Sequence, residues 1–262
     1  MNQPLANADR NGDQSPAPLQ LVYRDQALVV VNKPAGMLVH RSRVADGETV
    51  FLLQTLRDQL GQHLFPVHRL DRPTSGLMAL TTSGELAAKL AADWQGGQVH
   101  KSYLAVARGH LQGAGEIDYP LVPMADRRVA GSRDREAQPA QSRWQTLAQA
   151  ELPFAVGRYP TARYSLVALQ PLTGRRHQLR RHLAHLRHPI LGDVNHGDNK
   201  HNRFIRDQLG VPGLLLHSHQ LQLPHPLTGE RLSLEVAPPD HWQPLLVQCG
   251  WQPLVAPSRC QS

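Results

Sequence analysis

One short stretch of the chain concentrates residue types that are used in catalysis. Residues 68–76 read His-Arg-Leu-Asp-Arg-Pro-Thr-Ser-Gly, so Asp71 stands between Arg69 and Arg72. Nearby positive charge favours the ionised form of a carboxyl group. Asp71 is therefore a poor general acid, but it suits the role of a nucleophile or an electrostatic partner. From these residues alone, an ordinary surface loop explains the stretch equally well.

A second polar group follows a predicted strand. Residues 173–180 read Thr-Gly-Arg-Arg-His-Gln-Leu-Arg. Beyond them, Leu179, Leu183 and Leu186 fall on one helical face, while Arg176 and Arg180 are four residues apart on another. The pattern predicts an amphipathic helix with arginines in its first turns.

Histidines near this helix raise the alternative of a metal hydrolase. His182 and His185 are three residues apart, as zinc ligands can be, and His177 and His188 flank them. Five arginines surround the cluster, and no helical carboxylate supplies a further ligand. The pattern does not favour a metal hydrolase, and we predict no metal site.

Composition points to a polyanionic partner. The 262-residue chain has a formal net charge of +7, with 24 arginines and 4 lysines. Arginine makes forked contacts with phosphate, and a basic excess of this size favours nucleic acid as a partner.

Other sequence features exclude several protein classes. Cys249 and Cys260 do not form a metal-binding or disulfide pattern. We find no signal peptide, no apolar stretch of membrane-spanning length, and no phosphate-loop, dinucleotide or zinc-protease motif. We therefore expect a cytoplasmic protein that has no cofactor and does not associate with a membrane.

The elements that must position these residues are predicted as a mixture of helices and strands. A polar N-terminal segment, 1–18, should be disordered, a single domain should span 19–255, and 256–262 should form a tail. Two basic insertions, 124–143 and 194–213, either follow a phosphate backbone or are merely solvated.

Thr82 and Glu85 have the spacing of a capping box that begins a helix. Strands are predicted at 19–23, 28–32, 77–81, 99–107, 165–169, 214–223 and 232–236, and helices at 50–60, 82–94 and 175–186.

Taken together, the motifs resemble those of the RluA family of pseudouridine synthases. The resemblance rests on residues 68–76, on Lys-Ser-Tyr at 101–103, on residues 173–180, on their continuation through 186–193, and on Val-Asn-Lys-Pro-Ala-Gly at 31–36. It implies an α+β catalytic fold, with a largely antiparallel mixed sheet, flanking helices and a central RNA-binding cleft. It also implies an isomerase that converts uridine in RNA to pseudouridine without a cofactor.

The resemblance assigns roles to individual residues. Asp71 corresponds to the nucleophile, Tyr103 to the residue that stacks on the target base and assists proton handling at C5, and Arg180 to the arginine that pairs with the aspartate. Arg69 matches the side chain that inserts where the uridine was. The remaining expected substrate-binding residues are Arg72, Lys101, Arg175, His177 and Gln178. Whether Asp71 attacks C1′, attacks C6 or abstracts a ribose proton is left open.

Further segments resemble a subgroup of the family that modifies uridine 65 of tRNA. They include residues 61–63, 158–164 and 179–186. The resemblance implies a tRNA substrate and a monomer without an obligatory protein partner. We expect no separate RNA-binding module, since few residues precede Leu19. The alternatives are an rRNA or dual-specificity enzyme of the same family and a non-catalytic RNA-binding protein.

Overall fold

The computed structural model describes residues 17–40, 50–124 and 136–255. Its elements, in chain order, are β1 (Leu21–Arg24), β2 (Leu28–Lys33), α1 (Leu52–Leu60), β3 (Phe65–Pro66), β4 (Ser75–Thr81), α2 (Gly84–Gln95), β5 (His100–Arg108), β6 (Ala114–Asp118), β7 (Gln141–Leu152), β8 (Ala162–Pro171), α3 (Gln178–His185), α4 (Asn199–Leu209), β9 (Leu216–Pro224), β10 (Arg231–Glu235), α5 (Gln243–Cys249) and α6 (Gln252–Val255). The predicted α+β class is confirmed.

The ten strands of the described ranges form one mixed sheet. Its main path is β1-β2-β4-β9-β5-β8-β7-β6, with β10 paired to β9 and β3 to β4. Among these pairs, β4 and β9 run parallel and the others are antiparallel. The parallel pair lies where the loop that carries Asp71 enters the sheet, and it joins Ser75 to His217.

The parallel pair explains the glycine at position 76. Gly76 has φ +107°, and a Cβ added there would overlap the backbone carbonyl of Ser218. A side chain is therefore excluded by the close approach of β9 as well as by the backbone conformation.

The core lies on both faces of the sheet. Alternate residues of β5 point in opposite directions, so Tyr103 and Ala105 pack on one face and Leu104 and Val106 on the other. Helices α1 and α3 cover the first face, and α4 and α5 cover the second. The residues of interest converge on the first face.

Several sequence-based predictions need correction. The predicted capping box at Thr82 is wrong, because Ser83 Oγ accepts the hydrogen bond from the Leu86 amide. Thr82 instead donates to the Gln26 carbonyl of the β1–β2 turn. Arg176 precedes α3 and does not lie on its face.

Other segments differ in part from the predictions. Strands β6 and β7 were not predicted. The side chains of β7 are mostly polar or small, so its sequence lacks the apolar alternation that indicates a strand, although its residues alternate between exposed and partly buried. The insertion 194–213 contains α4, which buries Ile205. Of the predicted basic loop 124–143, residues 125–135 lie outside the described ranges, and residues 141–143 belong to β7.

The predicted tails lie mainly outside the description. Residues 1–16 of the N-terminal segment and all of 256–262 belong to the parts of the chain that are not described. Within the parts that are, no helix combines the length and the apolar composition needed to cross a bilayer.

Candidate active site

Asp71 lies on the loop between β3 and β4, and the start of this loop is fixed by His68. The Nε2 atom of His68 accepts a hydrogen bond from the Ala79 amide at 3.0 Å, and the imidazole packs on Trp94 with ring centroids 4.3 Å apart. Burial, followed by the charge of Lys101, lowers the pKa of His68 to about 3. A neutral imidazole therefore anchors the loop to β4 and α2.

Lys33 fixes the backbone that follows Asp71. Its side chain is fully buried, and Nζ donates to the carbonyl oxygens of Pro34 at 2.8 Å, Arg72 at 3.1 Å and Thr74 at 2.8 Å. Burial lowers the pKa of Lys33 to about 7, while the nearby Asp71 carboxylate opposes this change. The end of β2 is thereby tied to the loop.

Arg180, in the first turn of α3, joins two carboxylates. Its Nε and Nη2 donate to Asp193 at 2.7 and 2.8 Å, and its Nη1 donates to Asp71 Oδ2 at 3.3 Å. Burial opposes charge on both Arg180 and Asp193, but their mutual contact outweighs it. The pKa of Asp193 therefore lies below its ordinary value and that of Arg180 above.

The segment after α3 supplies two backbone amides to the site as well as the Asp193 carboxylate. The amides of Asn195 and His196 donate to Asp193 Oδ1 at 2.9 and 3.0 Å. Asp193 is thus fully paired and holds the Arg180 guanidinium in one orientation. Arg180 can then present its remaining nitrogen to Asp71.

His177 borders Asp71 on a second side. It precedes α3 in a left-handed conformation with φ 55°. Its Nδ1 lies 3.0 Å from His196 Nε2, and its Nε2 lies 3.9 Å from Asp71 Oδ2. Burial is the main cause that lowers the pKa of His177 to about 4. The ring is therefore neutral at pH 7, and Arg180 supplies the positive charge beside Asp71.

Tyr103 and Lys101 project from β5 into the same region. Tyr103 is buried and forms a side-chain hydrogen bond with Ser218, and burial raises its pKa to about 12. The phenol consequently stays protonated at neutral pH. Lys101 Nζ lies 4.7 Å from the centroid of a Trp94 ring, and burial lowers its pKa to about 8.

These residues surround an open cleft of about 520 Å³, a volume within the range of pockets that hold small organic ligands. Eight of the nine residues singled out from the sequence line it, namely Arg69, Asp71, Lys101, Tyr103, Arg175, His177, Gln178 and Arg180. The cleft thus combines a carboxylate beside a fixed guanidinium with a protonated phenol and several cations.

The ninth residue, Arg72, does not line the cleft. Its Nε donates to the Gly36 carbonyl at 2.9 Å, which ties the loop to the segment after β2. Gln178 lines the cleft but is 4% exposed. Its Oε1 accepts hydrogen bonds from Thr173 Oγ1 and the Arg175 amide, and its Nε2 donates to the Gln141 carbonyl. The hydrogen bonds of Arg72 and Gln178 therefore hold loops in place.

Sequence reasoning missed Lys33, Asp193 and His196 as parts of the site. Lys33 and Asp193 lay within motifs that had been noted, but their partners are distant in sequence. Of the histidines near α3, His177 lines the cleft, whereas His182 contacts Ser142 and the Tyr119 carbonyl. The described ranges contain no group of three or more potential metal ligands.

Comparison with known proteins agrees with this geometry. Residues 27–185 match the model of a family described as RNA pseudouridylate synthase. A Yersinia pestis protein named tRNA pseudouridine synthase C is 50% identical over 236 residues, which cover 89% of this chain and 91% of that protein. A Haemophilus influenzae protein of the same name is 48% identical and covers 89% of this chain and 99% of its own length.

Solved structures share the fold. Human RNA pseudouridylate synthase domain containing 4 matches with a TM-score of 0.66 and 29% identity, covering 88% of this chain and 93% of the human chain. Human RNA pseudouridylate synthase domain containing 1 matches with the same TM-score and 27% identity, covering 88% and 87%.

Proposed function

Because this chain belongs to the RNA pseudouridylate synthase family and isomerises uridine in RNA, we propose that its substrate is tRNA and its target uridine 65. The observation that carries the proposal is the likeness, at 48–50% identity over most of both chains, to proteins named tRNA pseudouridine synthase C. The segments at 61–63, 158–164 and 179–186 support the same subgroup.

The reaction rearranges bonds within one nucleotide. The bond between N1 of uracil and C1′ breaks, the base turns, and a bond forms between C5 and C1′. C5 loses its proton and N1 gains one, so no oxidant, reductant or other group is consumed. Residues of this chain are therefore sufficient in principle, which supports an enzyme without a cofactor.

In the proposed mechanism Asp71 is the carboxylate that reacts with the nucleotide. Its place beside Arg180 in the cleft supports this role, because a fixed guanidinium orients the carboxylate towards the cleft. The target base must leave its stack to enter the cleft. Attack at C1′, attack at C6 and abstraction of a ribose proton are all compatible with this position.

The other residues bind and orient the nucleotide. We assign Tyr103 to stacking on the uracil, and its protonated hydroxyl can contribute to proton handling at C5. Arg69, which is exposed at the rim, enters the space that the base vacates. Lys101 and Arg175 attract the phosphate backbone, since both line the cleft. Arg72, His177 and Gln178 act through the loops that they hold.

We also propose that the enzyme works as a monomer in the cytoplasm, without an obligatory protein partner. A tRNA substrate supports the cytoplasmic location. Light scattering of the purified protein, alone and with tRNA, tests the stoichiometry. A dimer in both samples would contradict it.

Release of tritium from RNA labelled at C5 of uridine tests the substrate. The wild-type protein is incubated with tRNA transcripts, with the same transcripts carrying cytidine at position 65, and with fragments of large-subunit rRNA. We expect release only from the unaltered tRNA. Equal release from the cytidine-65 transcript would reject position 65, and release from rRNA alone would reject tRNA.

A further inference from the structure

A second basic concavity lies at the far end of β5. We call it the strand-end pocket; it has a volume of about 630 Å³ and is lined by Arg108, Arg158, Tyr159, Arg163, Arg187 and Lys200, among others. Strand β5 carries Tyr103 at the catalytic cleft and Arg108 at this pocket. Five residues of strand separate the two by about 17 Å.

The strand-end pocket holds positive charge that the protein does not neutralise. Arg108 pairs with Asp198, and Arg163 pairs with Glu151 at 3.2 Å. Arg158, Arg187 and Lys200 are exposed, and within residues 17–40, 50–124 and 136–255 none of the three has a carboxylate partner. Three free cations around one concavity favour an anionic ligand.

An exposed aromatic ring stands beside these cations. Tyr159 is 53% exposed, and the Arg158 guanidinium lies 5.0 Å from its ring centroid and donates to its hydroxyl at 2.8 Å. The pair presents one free ring face and a preordered guanidinium. A nucleotide, with its stacking base and its phosphate, fits such a surface better than a free phosphate does.

Helix α3 connects the cleft with the strand-end pocket. His177 lies just before α3, and Arg181 and His185 follow at intervals of four residues within it, so the three form a stripe along one side of the helix. The stripe begins beside Asp71, and His185 stacks on the exposed Tyr119 with ring centroids 3.8 Å apart. Arg187, two residues after the helix ends at His185, lines the pocket. The separation of about 17 Å between the cleft and the pocket corresponds to roughly half a turn of a nucleic-acid duplex, so one RNA can contact both.

We propose that the strand-end pocket is a second RNA-contact site, which binds the substrate backbone through Arg158, Arg187 and Lys200 while the target uridine occupies the cleft. The proposal rests on the proposed function only in taking RNA as the substrate. It adds a recognition surface away from the reacting nucleotide. This surface positions the RNA by binding phosphates with its cations and stacking a base on Tyr159.

A pair of double variants of the full chain tests the proposal. Arg158→Gln/Lys200→Gln removes two charges from the strand-end pocket, and Arg24→Gln/Lys89→Gln removes two from exposed sites on β1 and α2. Binding of intact tRNA is measured between 50 and 200 mM salt, the range over which phosphate contacts lose much of their contribution. We expect the pocket variant to bind about 10-fold more weakly than wild type and to lower the salt slope by about 2, and the control to match wild type.

Equal affinities and slopes for the two double variants would overturn the proposal. If the pocket variant shows no cooperative unfolding transition, it is not folded, and Tyr159→Ala decides instead. We expect Tyr159→Ala to lower RNA affinity at least about fivefold, because one stacked base is lost. Tyr159→Phe is its control. Tritium release by the wild type, measured in parallel on tRNA and rRNA, reports the proposed function separately. Whichever RNA the wild type modifies is then used for the binding comparison.

Discussion

Arg180 donates to Asp71 at 3.3 Å while its other nitrogens are held by Asp193 at 2.7 and 2.8 Å. The shorter pair is buried, and the longer contact reaches a carboxylate whose side chain is 22% exposed at the cleft. Asp193 therefore fixes the guanidinium, and the guanidinium positions Asp71. Only Asp71 is accessible to a nucleotide.

Removing the charge of Asp193 should impair both stability and turnover. Asp193→Asn leaves Arg180 buried without its main partner, and breaking such a pair costs about 3–5 kcal/mol. We expect a large fall in the free energy of unfolding, together with a fall in kcat. Denaturant unfolding and tritium release measure the two effects.

The matched control for that variant is Asp207→Asn. Asp207 pairs with Arg206 at 2.7 Å on the exposed surface of α4, where solvent screens the pair and its contribution to stability is small. Similar losses for both variants would contradict the role given to Asp193.

Lys33→Met should loosen the loop that carries Asp71. The substitution keeps the length of the side chain but removes the Lys33 donor from the carbonyls of Pro34 and Thr74, at a cost of about 1–3 kcal/mol for each group that stays unsatisfied. The Arg72 carbonyl loses one of its two donors and keeps the Gly36 amide. We expect lower stability and lower kcat, with RNA affinity largely retained. Lys89→Met, on the exposed face of α2, should change neither; unchanged kcat in Lys33→Met would argue against the clamp.

Gly76→Ala should be far more damaging than Gly97→Ala, a substitution at a position with positive φ and open space. Gly97 has φ +74° with open space around it, so Gly97→Ala meets only backbone strain, about 1–2 kcal/mol. Gly76→Ala meets that strain and also the carbonyl of Ser218. Thermal unfolding of both variants measures the difference. Equal losses would show that the approach of β9 is not the constraint.

Acidification should destabilise the protein through its buried histidines. Burial is the main cause that lowers the pKa of His217 from 6.5 to about 4, so between these values the unfolded chain binds more protons than the folded one. The contribution of His217 to the free energy of unfolding is therefore fully present above pH 6.5. It falls by up to about 1.4 kcal/mol per pH unit as the pH drops towards 4.

The variant His217→Gln tests this dependence. It should be less stable at pH 7, because His217 contacts Ser75 Oγ at 2.9 Å and the Val236 carbonyl at 3.2 Å, yet it should lose less stability on acidification. Urea unfolding between pH 4.5 and 7.5 compares it with wild type. A pH dependence as steep as that of wild type would exclude His217 as a contributor.

The helices and strands that carry the site were predictable, because their sequence signals lie within each element. The hairpin of β1 and β2, the buried strand after the Asp71 loop and helix α3 all follow from apolar periodicity and turn residues. The convergence of Asp71, Tyr103 and Arg180 on one cleft followed from the family resemblance rather than from periodicity.

The contacts that hold the site were not predictable, because their partners are distant in the chain. Lys33 meets Thr74 across 41 residues, and Ser75 meets His217 across 142 residues. Asp193 ends the motif segment 186–193, but only the path of the chain after α3 shows that it binds Arg180. Strand β7 was missed because its mostly polar and small side chains lack the usual apolar alternation.

The central claim is that the Asp71 carboxylate carries the isomerisation, and Asp71→Asn tests it most directly. The amide keeps the shape of the side chain and removes its charge. Tritium release from tRNA labelled at C5 of uridine is measured beside tRNA affinity, with Asp58→Asn on the exposed face of α1 as the control. We predict tRNA binding close to wild type and no release above the enzyme-free blank, whereas the control turns over normally. Substantial release by Asp71→Asn would contradict the account.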